Sequence, residues 1–109
     1  MLVAAYAAWR PYNVADVQAH VPHSPGVYMI RVLLRGGGQR VIYVGQASDL
    51  QDRLLDHLSP SEENACLRDH VAKHELEHTW VVLTSAAARG EEESTKITEH
   101  NPECNTQHP

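Results

Sequence analysis

Phenylalanine is absent from this 109-residue chain, and aromatic residues together make up only 6% of it. Leu, Val, Ile, Tyr and Trp must therefore fill whatever core forms. Cysteine is scarce: Cys66 and Cys104 are the two present. Two cysteines do not make the disulfide framework of a small secreted domain, and a reducing cytoplasm is the expected compartment. No apolar run approaches the roughly 20 residues that span a bilayer, so no membrane partner is expected. Leu2 to Trp9 is apolar, but no basic segment precedes it, which argues against a signal peptide. Basic charge is also short, with 9 Lys and Arg against 14 Asp and Glu and a net charge of -5. Nucleic-acid binders usually carry a basic face, because neutralising phosphate supplies much of their affinity. Any such role here needs Arg31, Arg35, Arg40, Arg53, Arg68, Lys73, Arg89 and Lys96 to cluster, or help from a metal, a partner protein or a second subunit.

What the chain does have is a stretch from Gly26 to His57 that organises the rest. Gly26-Val27-Tyr28 leads an apolar run to Leu34. Gly36-Gly37-Gly38 breaks it, and Val41-Ile42-Tyr43-Val44-Gly45 follows. Two Val/Ile/Leu/Tyr runs around a Gly-Gly turn predict a β-hairpin. A two-residue turn at Gly36-Gly37 sets Arg35 opposite Gly38, Tyr28 opposite Gly45 and Ile30 opposite Tyr43. Side chains alternate along a strand, so Tyr28 and Tyr43 then share one face as diagonal neighbours. Next, Ser48 and Gln51 read as a capping box, and Leu50, Leu54 and Leu58 as the apolar stripe of a helix. Arg53 and His57 are four apart and project together. A cation and an imidazole thus arrive beside two phenols.

The remaining chain reads as one domain, 1–109, without linker, repeat or low-complexity segment. Asn13 caps a short helix over 14–20. A second helix is expected from Ser59 to about Glu75, a third strand over 79–84, and a last helix over 86–100 ended by Asn101-Pro102. The tail beyond Asn105 is polar and expected to fray. The fold class is α+β: a small, mostly antiparallel three-stranded sheet flanked by helices.

Two other clusters compete for attention. His74-Glu75-Leu76-Glu77-His78 spells the zinc-protease motif, which needs both His on one helical face and the Glu between them as base. The charged Glu77, the missing third ligand and the adjoining strand argue for a solvated helix end instead. Cys66, His70, His74 and His78 recur every four residues, and neighbours on such a stripe could bind a transition metal. The plainer reading is an exposed polar stripe.

Gly26-Val27-Tyr28 paired with Tyr43-Val44-Gly45 resembles the signature of the GIY-YIG nuclease superfamily, with Val for Ile at both centres. Tyr43 to Leu50 with Arg53-Leu54 is similar to the nuclease domain of the bacterial excision-repair incision enzyme and its small stand-alone relatives. Arg53 matches the family's catalytic Arg, and His57 its Tyr-or-His one turn later. Glu93, Pro102 and Asn105 fit its C-terminal Glu and Pro-x-x-Asn. The resemblance covers about 25–105. It implies a DNA endonuclease, for repair or restriction, that uses one Mg²⁺ or Mn²⁺ ion. The implied site is Tyr28, Tyr43, Arg53, His57, Glu93 and Asn105, with Glu93 as the metal ligand, and Tyr28, Tyr43, Arg53, His57 and Glu93 are expected to line one cavity. Which tyrosine activates water stays open. Gln46 stands where the excision-repair enzymes usually have Lys, which weighs against the repair branch. The alternative is a non-catalytic module of the same fold that binds nucleic acid or a protein.

Overall fold

The computed structural model describes residues 5–105. The start of the apolar run at Leu2 and the tail beyond Asn105 lie outside the described residues. In chain order the elements are β1 (Arg10–Pro11), α1 (Val14–His20), β2 (Gly26–Leu33), β3 (Gln39–Ala47), α2 (Leu50–His57), α3 (Ala65–Lys73), β4 (Leu76–Val82) and α4 (Ala86–His100). The strands form one antiparallel sheet in the order β1-β4-β2-β3. The sheet thus has four strands where three are expected from sequence. The extra one is the two-residue β1, and Pro11, which cannot donate to a ladder, suits its edge position.

The hairpin of β2 and β3 reaches the expected pairing by an unexpected route. Tyr28 faces Gly45, and Ile30 faces Tyr43. The turn, however, has three residues between Leu34 and Gly38, whose backbones are joined by a 2.7 Å hydrogen bond. Gly36 and Gly37 hold φ of 92° and 99°, which only glycine adopts without strain. The pairing is therefore offset by one as far as Arg31 opposite Val41. Ile42 then bulges, and the register shifts back. Two offsets cancel, so the two tyrosines still share a face.

One sheet face carries Tyr28, Ile30, Val32, Ile42 and Tyr43, packed against Val17 of α1, Leu50 and Leu54 of α2, and Leu67 of α3. The bulge explains why the successive residues Ile42 and Tyr43 both point there. The other face carries Val27, Met29, Val41, Val44 and Val81, covered by Ile97 of α4, Trp9 and Tyr6. Helices on both sides follow from a hairpin apolar on both faces. Arg31 joins this second side by stacking 4.1 Å over the Trp9 ring and pairing with Glu77, its cross-strand neighbour, at 2.6 Å.

Local chemistry moves several element ends. Asp49, not Ser48, caps α2: its carboxylate accepts from Asp52 N–H at 2.9 Å and also meets His23 at 2.8 Å. Gln51 turns instead to the Val21 carbonyl. The helix expected from Ser59 begins only at Ala65, capped by Asn64. Residues 59–63 make turns, and this frees Glu62 to reach back to α2. The Asn13 cap over Val14–His20 and the span Ala86–His100 match expectation.

Gly45 has a steric reason. A Cβ there would fall inside the Tyr28 phenol, which lies flat across it. Overpacking of a closed core costs about 1–3 kcal/mol. Gly45→Ala should lower the urea unfolding free energy by that amount, and an unchanged midpoint would contradict the packing described.

Two histidines, His57 and His78, are buried. Desolvation lowers both their pKa values below 6.5, against the opposing pull of Glu62 and Asp16. Each is neutral in the folded chain but protonates more readily once unfolded. Stability is therefore full above about pH 6.5 and falls as pH drops below that value towards the lowered folded pKa values. Thermal melts from pH 8 down to 5 should show this decline, before the carboxylates titrate. A flat profile would contradict the neutral burial of both rings.

Candidate active site

The site is built where β3 ends and α2 begins. Alternation on the hairpin brings the Tyr28 and Tyr43 rings to 6.1 Å between centroids, and His57, in the last turn of α2, lies 5.2 Å from Tyr43 and 5.6 Å from Tyr28. Tyr28 O–H donates to His57 Nε2 at 2.6 Å, and His57 Nδ1–H donates to Glu62 Oε2 at 3.0 Å. This tautomer satisfies every polar atom of the chain Tyr28–His57–Glu62, and it is the neutral ring that burial favours. Glu62 is itself buried, and its other oxygen accepts from the Asn64 N–H.

Tyr43 looks outward. With Arg53, Asp56, Glu62, Glu63 and Asn64 it lines an open cleft of about 660 Å³. Burial raises the pKa of both phenols, far more so for the fully enclosed Tyr28. The Arg53 guanidinium opposes that rise at both, and the two phenols in turn strengthen its hold on its proton. Glu62 and Glu93 push Tyr43 upward, so both carboxylates lie within its electrostatic reach.

Glu93 approaches from the other side of the edge strand. It sits on α4, and its Oε1 accepts from Gln46 Nε2 at 2.9 Å. The expectation of one shared cavity is thus corrected. Tyr43 and Arg53 line the cleft, Tyr28 and His57 are sealed behind Tyr43, and Glu93 stands at the end of β3 on the α4 side. The cause is β3 itself, an edge strand between the two helix layers. Asn105 is not in the cleft either. Its Oδ1 accepts from Val44 N–H and its Nδ2 donates to Val44 O, both at 2.8 Å. It grips the backbone between Tyr43 and Gly45.

Sequence reading missed Glu62 and Gln46. Glu62 falls within the helix expected from Ser59, although Ser59-Pro60, two and three residues after His57, offers a turn signal. Gln46 read only as a lost cation, whereas it orients Glu93. The zinc-protease motif does not form: α3 ends at Lys73, and His78 lies inside β4, where its Nε2 meets Asp16 at 3.0 Å. His78 is buried rather than solvated. The fourfold stripe of Cys66, His70, His74 and His78 ends with the helix for the same reason. Cys66 and Cys104, in a chain expected in a reducing compartment, are joined in a disulfide.

Few basic side chains gather at the cleft: Arg53 lines it and Arg68 donates to the Glu62 carbonyl. Arg10, Arg31, Arg40, Lys73 and Lys96 pair with Asp16, Glu77, Glu103, Asp69 and Glu99. Among the described residues no helix is long and apolar enough to cross a membrane.

One carboxylate, Glu93, and the Gln46 amide meet at β3's end, and oxygen donors of this kind suit a hard cation. Glu93 is half-buried and already oriented by Gln46, so the residues fit one Mg²⁺ or Mn²⁺ ion.

Comparison with known proteins identifies the family and the fold. The family described as the UvrC-like GIY-YIG domain matches residues 24–106. UvrABC system protein C of Aquifex aeolicus (strain VF5) is 31% identical over 97 residues, which cover 88% of this chain. The same protein of Salinispora tropica is 32% identical over 99 residues, 90% of the chain. These matches take 16% and 14% of the relatives, so the chain spans about one sixth of their length. The GIY-YIG N-terminal endonuclease domain of UvrC from Thermotoga maritima, bound to magnesium, superposes with a TM-score of 0.60 at 24% identity, over 84% of this chain and 93% of that one. A point mutant of that domain, bound to its catalytic divalent cation, gives 0.59 at 22% identity, over 84% and 92%. Gln46 therefore does not set the chain apart from the repair branch: it belongs to the UvrC-like GIY-YIG family.

Proposed function

We propose that this domain is a divalent-metal-dependent endonuclease that hydrolyses DNA phosphodiester bonds. The observation that carries the reading is the place of Tyr43. One phenol at the cleft wall is in ring contact with Tyr28 and His57 and within the fields of Arg53, Glu62 and Glu93. Hydrolysis needs an oriented water, a sink for its proton and a cation on the phosphate. Tyr43 is the phenol that lines the cleft, so it orients the attacking water; only as a phenolate, which Arg53 favours against burial, does it also receive the water's proton. Tyr28 is sealed and acts through Tyr43's packing and His57. Arg53 grips the phosphate and offsets the growing charge. Glu62 fixes the His57 tautomer, and Asn105 fixes the backbone that carries Tyr43. Bound by Glu93, a Mg²⁺ ion supplies charge neutralisation on the phosphate and the leaving oxygen. The acidic cleft wall makes that cation, and a partner protein or second subunit, the source of DNA affinity.

The same acidity favours a second reading, a non-catalytic module that binds nucleic acid or protein. Plasmid DNA incubated with the protein, with and without Mg²⁺ or Mn²⁺, separates the two. Metal-dependent nicking supports the enzyme, and no nicking at high protein concentration supports the module.

Two substitutions test the assigned roles. Glu93→Gln keeps volume and helix propensity but loses the anion, so cleavage should fall by at least 10²–10³-fold in the range seen when one electrostatic element is removed. The melting temperature should hold, and metal-free DNA binding should not weaken, since a repulsive charge is gone. Parent-rate cleavage in Mg²⁺ would remove Glu93 from the role. Glu62→Gln keeps a hydrogen-bond acceptor for His57 but not its charge. The turnover rate should drop about 10²-fold with KM little changed. An unaltered rate would make Glu62 a structural residue only.

A further inference from the structure

The zinc-protease motif fails, but the sulfur end of the histidine stripe does not. Cys66 in the first turn of α3, His70 one turn later, and Cys104 after α4 bring two sulfurs and an imidazole nitrogen within 4.8 Å of one another. Cys104 is fully buried and Cys66 and His70 partly so. His70 Nε2 lies 3.2 Å from Glu103 Oε1. His70 Nδ1 is buried with no hydrogen-bond partner. An imidazole beside two sulfurs, with one nitrogen on a carboxylate and the other buried without a hydrogen-bond partner, has the arrangement of a metal ligand and its outer support.

We infer that the reduced chain binds a soft divalent cation, Zn²⁺ for preference, through Cys66 Sγ, Cys104 Sγ and His70 Nδ1. Three protein ligands leave the fourth tetrahedral position to water. The disulfide seen here is the other state of the same site. A dithiol reductant transfers two electrons and two protons to the bridge, giving two thiols and its own disulfide. Metal binding then expels both thiol protons. The sulfurs part to about 3.8 Å, the spacing that Zn–S bonds of about 2.3 Å require at a tetrahedral angle. The Cα separation of 5.3 Å already lies in range, so side-chain rotation suffices. In either state the segment after Pro102 stays fastened to α3. The His23, Asp49 and Asp52 cluster also meets the distance test, but it is exposed and lacks sulfur.

Cobalt distinguishes the two, because only thiolate ligands give a sulfur-to-metal charge-transfer band. The full chain, reduced with a phosphine and then freed of it, is titrated with Co²⁺, and Zn²⁺ is added in competition. The expected result is one Co²⁺ per chain with that band, displaced by Zn²⁺, and no band in the oxidised chain. Cys66→Ser, left with one thiolate, should weaken both the band and the affinity. His70→Ala, which keeps both sulfurs, should bind more than about tenfold more weakly, and His74→Ala should bind like the parent. If Cys66→Ser does not fold, His70→Ala decides. A reduced parent without the band, or His70→Ala with parent affinity, overturns the proposal. The readout is independent of cleavage.

Discussion

The parity of one hairpin governs this domain. A strand shows its side chains alternately to two faces, so a slip of one residue would send Tyr43 to the α4 side and leave Tyr28 alone. The three-residue turn makes such a slip, and the bulge at Ile42 undoes it. The bulge also gives the strand extra twist at the point where the chain leaves for α2. The tyrosine pair, the close pass over Gly45 and the meeting with His57 all follow from that correction.

Most of the frame was legible because its signals are local. Alternating Val, Ile and Tyr around glycines marked the hairpin, Asn13 marked α1, and Asn101-Pro102 marked the end of α4. The register was read correctly from a wrong turn, since parity survives when two single offsets cancel. What stayed hidden depends on distant partners. Ser59-Pro60 hints at a turn before Glu62, but nothing near Glu62 in the sequence names the buried imidazole it holds. Nor does anything near Gln46 name Glu93, 47 residues away, as its acceptor. Cys66 and Cys104 are 38 residues apart and meet only because α4 returns the chain along β3. β1 is two residues long and exists only by pairing with β4.

The charge pattern has its own logic. Most basic residues are spent in cross-strand and surface pairs, which contribute little each in water. Arg53 differs: it sits between two phenols and an acidic wall. Under the proposed nuclease reading, a phosphate diester approaching such a wall would be repelled until a cation intervened, so catalysis and attraction would depend on the same ion, and steering of DNA by this domain alone would be weak.

Asn105 has a consequence outside catalysis. β3 is an edge strand, and an unprotected edge invites a foreign strand to add to it. The Asn105 amide offers Val44 one donor and one acceptor, as a neighbouring backbone would, and the Cys104 N–H takes the carbonyl of the bulged Ile42 at 2.8 Å. Two residues thus imitate a fifth strand laid against the rim, too short to recruit another. The rim is closed at its middle, and chains that pair with one another must do so elsewhere than at this stretch of β3.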